Sequence, residues 1–370
     1  MPRASHLSDR QREVAFGLGL LVPVALLLSL AEGAARLYMS NLREAGTDWS
    51  ELIKAVGIDE GSYVRFRPNS QAGHLAFNDQ GFRGPALPLP APEGTVRIAF
   101  LGDSKVLSAS LPEAATLAAQ TTALLTASLP NCRFDYVTMA GPSYDMDTLA
   151  TLWSTHAPTL QPDLAVVLAG SVTDLIAEHD AAAWPEDRLR QSRGVEPTAA
   201  SQPERLTLEG LGERSALVSL VGRSLILASP AMTAIETSDL PWDALTAAYK
   251  EMAATLVDAT SDVPVLAVGY RSRLRADQAV ATRVQNSRET RAEVPGMSVE
   301  AATALNEFVP EQLRQVAADA GWVFLDPIRA IPGDDTAFMD ATHFSEAGLT
   351  KLAKMLTTEI APMVDEACKI

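Results

Sequence analysis

The chain has 370 residues, of which 47% are hydrophobic, enough to bury a full core and to exclude a largely disordered protein. Acidic residues outnumber Lys and Arg by 46 to 30, giving a net charge of -16. No basic stripe is left to neutralise a phosphate backbone, which argues against nucleic acid as a partner.

The first element is apolar. Residues 14–31, "VAFGLGLLVPVALLLSLA", carry no charge and as a helix would cover about 27 Å, close to the hydrocarbon thickness of a bilayer. Arg3, Arg10 and Arg12 precede the segment, and Arg36 and Arg43 follow it. The positive-inside rule then places the N-terminus in the cytoplasm and the remainder outside. A cleaved signal peptide is the competing reading, since Ser29-Leu30-Ala31 loosely resembles a small-residue cleavage site. A buried core helix is the third.

Residues 1–38 are thus read as a cytoplasmic N-terminus with a transmembrane anchor, and 39–92 as an extracytoplasmic connecting region. Turn signals fill that region in "RPNSQAG", "NDQGFRG" and "PALPLPAPEG", and Phe66, Phe77 and Phe82 are expected to dock apolar rings. Regular periodicity starts near residue 93 and defines a main domain to 370. Short apolar runs occur at 96–101, 134–139, 163–169, 263–269 and 322–326, separated by helical patterns such as "PEAATLAAQTTALLTAS", "WDALTAAYKEMAATLVDA" and "AATALNEFVPEQLRQVAADAG". Strands that are apolar almost throughout, alternating with helices, predict a three-layer α/β/α sandwich around a five-stranded, mainly parallel sheet. A long insertion spans about 176–240, polar first and then apolar in "SALVSLVGRSLILASPAM". Its apolar half reads as a helix packed near the site or forming a lid, or as one that binds a partner or the membrane.

In parallel sheets the reactive groups sit beyond the carboxyl ends of the strands. The first run, "VRIAFLGDSKVL", ends there in Gly102-Asp103-Ser104. The glycine permits a tight exit and Ser104 is presented at the edge, either as a nucleophile or as an ordinary turn residue. After the last run, "FMDATHFSEAGLTKLAKML" places Asp340 and His343 three apart, so both can face one way on a turn or a first helical turn. His343 could take the Ser104 proton while Asp340 orients the ring. The other histidines, His6, His74, His156 and His179, read as surface or structural residues, and no cluster beside His343 suggests a metal. No organic cofactor is implied either. Cys132 and Cys368 fit neither a disulfide framework nor a metal spacing.

With these motifs the chain resembles the SGNH (GDSL-type) hydrolase superfamily over roughly residues 93–360, and its upstream "NDQGFRG" resembles membrane-anchored bacterial members. The resemblance implies an α/β/α flavodoxin-like fold, a nucleophile at Ser104, and an Asp-x-x-His pair at Asp340 and His343. It further implies oxyanion donors at the Ser104 N–H, at Gly141 or Ser143, and at Thr173. Two blocks depart from the family pattern. "MAGPSY" is one residue short of the usual second block, and "AGSVTDL" carries Thr173 where the family has an oxyanion asparagine. Lys105, directly after the serine, is expected either to attract an anionic substrate group or to point to water. Arg271, Arg273 and Arg275 read as a grip for anionic sugars or as a solvated cluster. The resemblance implies an exported, membrane-tethered esterase acting on an acyl ester such as an acetylated envelope glycan, or transferring the acyl group to a sugar hydroxyl. The alternative is a catalytically impaired domain that binds envelope protein partners.

Overall fold

The computed structural model describes residues 27–34, 49–60, 63–172, 174–176, 235–294, 296–328, 330–365 and 368. Five strands, β5 (Thr95–Gly102), β6 (Arg133–Ala140), β7 (Leu164–Leu168), β8 (Val265–Val268) and β9 (Val323–Leu325), form one sheet in the order β6-β5-β7-β8-β9. Every pairing is parallel, so the sheet is fully rather than mainly parallel. All five expected runs are strands.

Their near-continuous hydrophobicity follows from burial on both faces. In β5, Ala99 and Leu101 face one core and Ile98 and Phe100 the other, as the two-residue period of a strand requires. The first face is covered by α4 (Met146–Leu160), α5 (Trp242–Ala259) and α8 (Val299–Ala320), through residues such as Trp153, Tyr249 and Leu305. The second is covered by α3 (Leu117–Ser128) and α9 (Glu346–Val364), through Leu125, Leu349 and Leu356. Three layers result. The helix ends carry ordinary punctuation: Thr116 caps α3 by accepting from the Ala119 N–H at 3.2 Å, and Gly321 ends α8 with a φ of 71°, a left-handed conformation that suits glycine.

The upstream region has more structure than its turn-rich sequence suggests. Helix α1 (Trp49–Val56) leads into a hairpin of β1 (Gly57–Asp59) and β2 (Val64–Phe66), then a short ribbon of β3 (Gln71–Ala72) and β4 (Leu75–Ala76). Phe66, Phe77 and Phe82 are all buried, and the first two rings stack at 4.2 Å. The Arg83 backbone bridges to Thr138 on the open edge of β6, which shields that edge from another strand.

Cys132 and Cys368 form a disulfide with a Cα–Cα distance of 5.1 Å, a correction to the expectation that they do not pair. The reason is topological: α9 runs along α3 and returns the C-terminal residues to the amino end of β6. A separation of 236 residues hides that proximity from the sequence.

This sheet belongs to a unit formed by residues 44–196 and 230–370, and residues 1–43 with 197–229 form the other. Of the second unit only 27–34 is described, a helical stretch with Leu27, Leu28 and Leu30 exposed. Among the described residues no helix is long and apolar enough to cross a membrane. Most of the expected span at 14–31 lies outside the described residues, as does most of the insertion.

Candidate active site

Strand β5 ends at Gly102, where a side chain would have no room: an added Cβ would come within 2.4 Å of the Val106 side chain and 2.5 Å of the Leu168 carbonyl. The chain then turns into the one-turn helix α2 (Ser104–Leu107), whose N-cap is Asp103. Its carboxylate accepts from the Lys105 N–H at 2.9 Å. Ser104 is therefore the first helical residue, at the carboxyl edge of the sheet.

His343 and Asp340 come from the turn before α9. Phe338 and Phe344 pair across this turn, and the Met339 N–H donates to the His343 carbonyl at 2.8 Å, which leaves residues 340–343 at the tip. Asp340 Oδ1 accepts from the N–H groups of Thr342 at 2.8 Å and His343 at 2.6 Å. His343 Nδ1 lies 3.0 Å from Asp340 Oδ2, so Nδ1 carries the proton and donates. That leaves Nε2 to accept from the Ser104 hydroxyl at 2.8 Å. Burial alone would raise the Asp340 pKa, but the hydrogen bond and charge of His343, helped by the two backbone N–H groups, outweigh it and hold the carboxyl below its ordinary value. A carboxylate that stays ionised, an imidazole with a defined tautomer and a hydroxyl in line can move one proton from oxygen to nitrogen.

Strand register brings the remaining candidate segments to the same edge. Gly102 pairs with Ala140 on one side and with Leu168 on the other. The turn after β6 thus starts beside the serine turn. Gly141 is held there under the Tyr144 ring, whose Cζ an added Cβ would approach to 2.2 Å, and Ser143 is left-handed with a φ of 54°. The Tyr144 hydroxyl donates to the Val64 carbonyl at 2.5 Å, tying this turn to the upstream hairpin. After β7, the Ser171 N–H donates to Asp174 at 2.7 Å. Thr173 lies outside the described residues.

Two expectations need correction. Lys105 does not point to water: it is buried, its ammonium pairs with Asp103 and lies 4.8 Å from the centre of the Tyr270 ring. Asp174 belongs to the same cluster. Burial pushes its carboxyl up to about 6, Lys105 opposes the rise and Asp103 adds to it. Lys105 is buried at the end of β5, out of reach of bulk water, so its cation needs internal partners. The arginines after β8 are not a solvated cluster. Arg271 bridges Glu307 at 2.7 Å and Asp326 at 2.8 Å, Arg273 pairs with Asp335, and Arg275 is buried against Phe338 while donating to the Leu274 carbonyl. Of the other histidines, His74 Nε2 lies 2.9 Å from the Ala109 carbonyl, and His156 packs edge-on against Phe82. His6 and His179 lie outside the described residues. Among those residues no group of acidic, histidine or cysteine side chains could hold a metal.

Ser104, His343 and Asp340 are thus joined at the carboxyl edge of the parallel sheet in a three-layer fold, in the roles that the resemblance to the SGNH hydrolases implies for them. No family model and no curated protein matches the chain. Solved structures do. The chain is similar to Axe2, an acetylxylan esterase from Geobacillus stearothermophilus, at 14% identity and a TM-score of 0.40 over 72% of this chain and 94% of that one. It is similar to LAE5, an alpha/beta hydrolase enzyme from the metagenome of Lake Arreo, Spain, at 15% identity and 0.39 over 71% and 95%. A third is the lipase/acylhydrolase from Enterococcus faecalis, at 14% identity and 0.37 over 72% and 96%.

Proposed function

We propose that this protein is a serine esterase of SGNH type, exported and tethered to the membrane by residues 1–38, with an extracytoplasmic connecting region at 39–92 and a catalytic domain at 93–370. It removes short acyl groups, such as O-acetyl on an envelope glycan, or hands them to a sugar hydroxyl. The observation that carries the reading is the 2.8 Å contact between Ser104 Oγ and His343 Nε2, with Asp340 on the far side of the ring.

Ser104 Oγ attacks the ester carbonyl and gives its proton to His343 Nε2, while Asp340 stabilises the imidazolium. The tetrahedral oxygen takes hydrogen bonds from the Ser104 N–H, from an N–H at Gly141 or Ser143, and from the Thr173 hydroxyl. His343 returns the proton to the leaving alcohol as the C–O bond breaks. Water, or a sugar hydroxyl, then attacks the acyl-serine with His343 as base and regenerates Ser104. The disulfide supports export, since such bonds persist in oxidising compartments. A joined serine and histidine weigh against a domain kept only for binding.

The test is hydrolysis of p-nitrophenyl acetate by the full-length protein in detergent, beside Ser104→Ala, with fluorophosphonate labelling of both. Turnover and labelling by the wild type, both lost in the variant, are expected. An inert, unlabelled wild type would overturn the reading in favour of a binding domain.

A further inference from the structure

Arg83 lies in the upstream stretch "NDQGFRG" and takes no part in the chemistry above, yet it is 1% exposed. A buried guanidinium needs acceptors for its N–H groups, and this one makes four such hydrogen bonds. Its Nε donates to Glu113 Oε2 at 2.8 Å. Nη1 donates to the carbonyls of Leu107 and of Ser108, the latter at 2.6 Å, and Nη2 to that of Leu111 at 2.5 Å. Burial draws the Arg83 pKa down and the Glu113 charge opposes it. Three of the four acceptors are main-chain carbonyls of one short segment, the one that directly follows the candidate nucleophile.

That segment needs an external hold. Helix α2 is four residues long, a single turn, and a single turn has almost no stability of its own. The carbonyls of Ser104 and Lys105 are satisfied by the N–H and hydroxyl of Ser108. Ser108 closes the helix in a left-handed conformation with a φ of 50°. The Leu107 carbonyl goes to Arg83, and the Ser108 carbonyl is shared between Arg83 and the Leu111 N–H at 2.9 Å. The arginine is itself anchored on the sheet, because its backbone bridges to Thr138 of β6, which pairs in register with Phe100 of β5. Strand β5 thus fixes α2 at the front and, through β6 and Arg83, the same sheet fixes it at the back. From Ser104 to Leu107 the helix rises only about 4.5 Å, so a shift at its end reaches the serine hardly diminished.

We propose that Arg83 is a positioning residue for Ser104: by gripping the end of α2 and the loop after it, the guanidinium holds the serine oxygen within reach of His343. This rests on the reading of Ser104 as the nucleophile. Arginine is required because a planar fork can reach three carbonyls at once, whereas a lysine ammonium on the same backbone would reach one or two. The upstream region then acts as a structural half of the active site rather than as a connector.

The test is Arg83→Lys in the full-length protein, with kcat, KM and the rate of fluorophosphonate labelling measured beside a thermal melt. Loosening the turn by about 1 Å lowers kcat and labelling by up to ~10²-fold, with KM within about twofold of wild type, because binding contacts are untouched. A variant that melts lower but keeps wild-type kcat and labelling would show that Arg83 only supports the fold, and would overturn the inference. Should Arg83→Lys fail to fold, Glu113→Gln removes the charge that orients Nε, and a labelling rate equal to wild type would overturn it equally. A wild type that neither labels nor turns over removes the nucleophile reading and this inference with it.

Discussion

Replacing Lys105 with Met tests whether the cluster beneath the serine turn is an electrostatic unit. Lys105 is 7% exposed, its ammonium pairs with Asp103, itself 4% exposed, and its charge acts on Asp174, 8% exposed. Met fills a similar volume but leaves two buried carboxylates without a cation, and removing one partner of a buried pair typically costs about 3–5 kcal/mol. The cost should depend on pH with a definite sign. In the folded protein Asp174 titrates near 6, above its ordinary 3.8, so the folded state holds the proton more tightly than the unfolded chain. Its burial penalty is absent below about 3.8 and grows to about 3 kcal/mol as pH rises through about 6. Without Lys105, which lowers that pKa, the window moves to higher pH. Urea unfolding of wild type and Lys105→Met at pH 8 and pH 5 is the assay. The expected loss is about 3 kcal/mol or more at pH 8, and at least about 1 kcal/mol less at pH 5, where Asp174 can protonate. An equal loss at both values, or a loss below about 1 kcal/mol at pH 8, would refute the reasoning.

Three further outcomes follow from the structure. Asp340→Asn keeps the size of the group but lets the His343 ring adopt the wrong tautomer, so kcat for an aryl ester should fall about 10⁴-fold. In the wild type the depressed Asp340 pKa adds stability above the ordinary carboxylate range, and that stability is lost as pH falls through the folded value, visible as acid-side loss in a melting series below about pH 4. Cys132→Ser or Cys368→Ser should lower unfolding stability by about 2–4 kcal/mol under oxidising conditions while leaving kcat at 25 °C unchanged, because the bond sits at the amino edge of β6, the edge opposite Ser104. A drop in kcat with intact folding would show that the two edges are coupled.

The strands were readable because β5, β7 and β8 are buried on both faces, and a strand with no solvent side has to be apolar at nearly every position. Ser104 was readable for a related reason: a parallel sheet offers one reactive edge, and Gly-Asp-Ser stands where the first long strand reaches it. Asp340 and His343 were readable because three residues of spacing can close within one turn. Those features depend on residues near one another in the chain. Lys105 acts on Asp174 only because β5 and β7 are neighbours in the sheet, although β6 and the three helices α2, α3 and α4 separate those two strands in sequence. Cys132 meets Cys368 across 236 residues, and Arg83 reaches the end of α2 only because its own segment docks on the edge of β6. Periodicity and local motif, properties of a strand or a turn, were set by the sequence itself. Tertiary packing decided which distant polar groups became partners, since a buried charge takes the acceptors that the topology brings within reach.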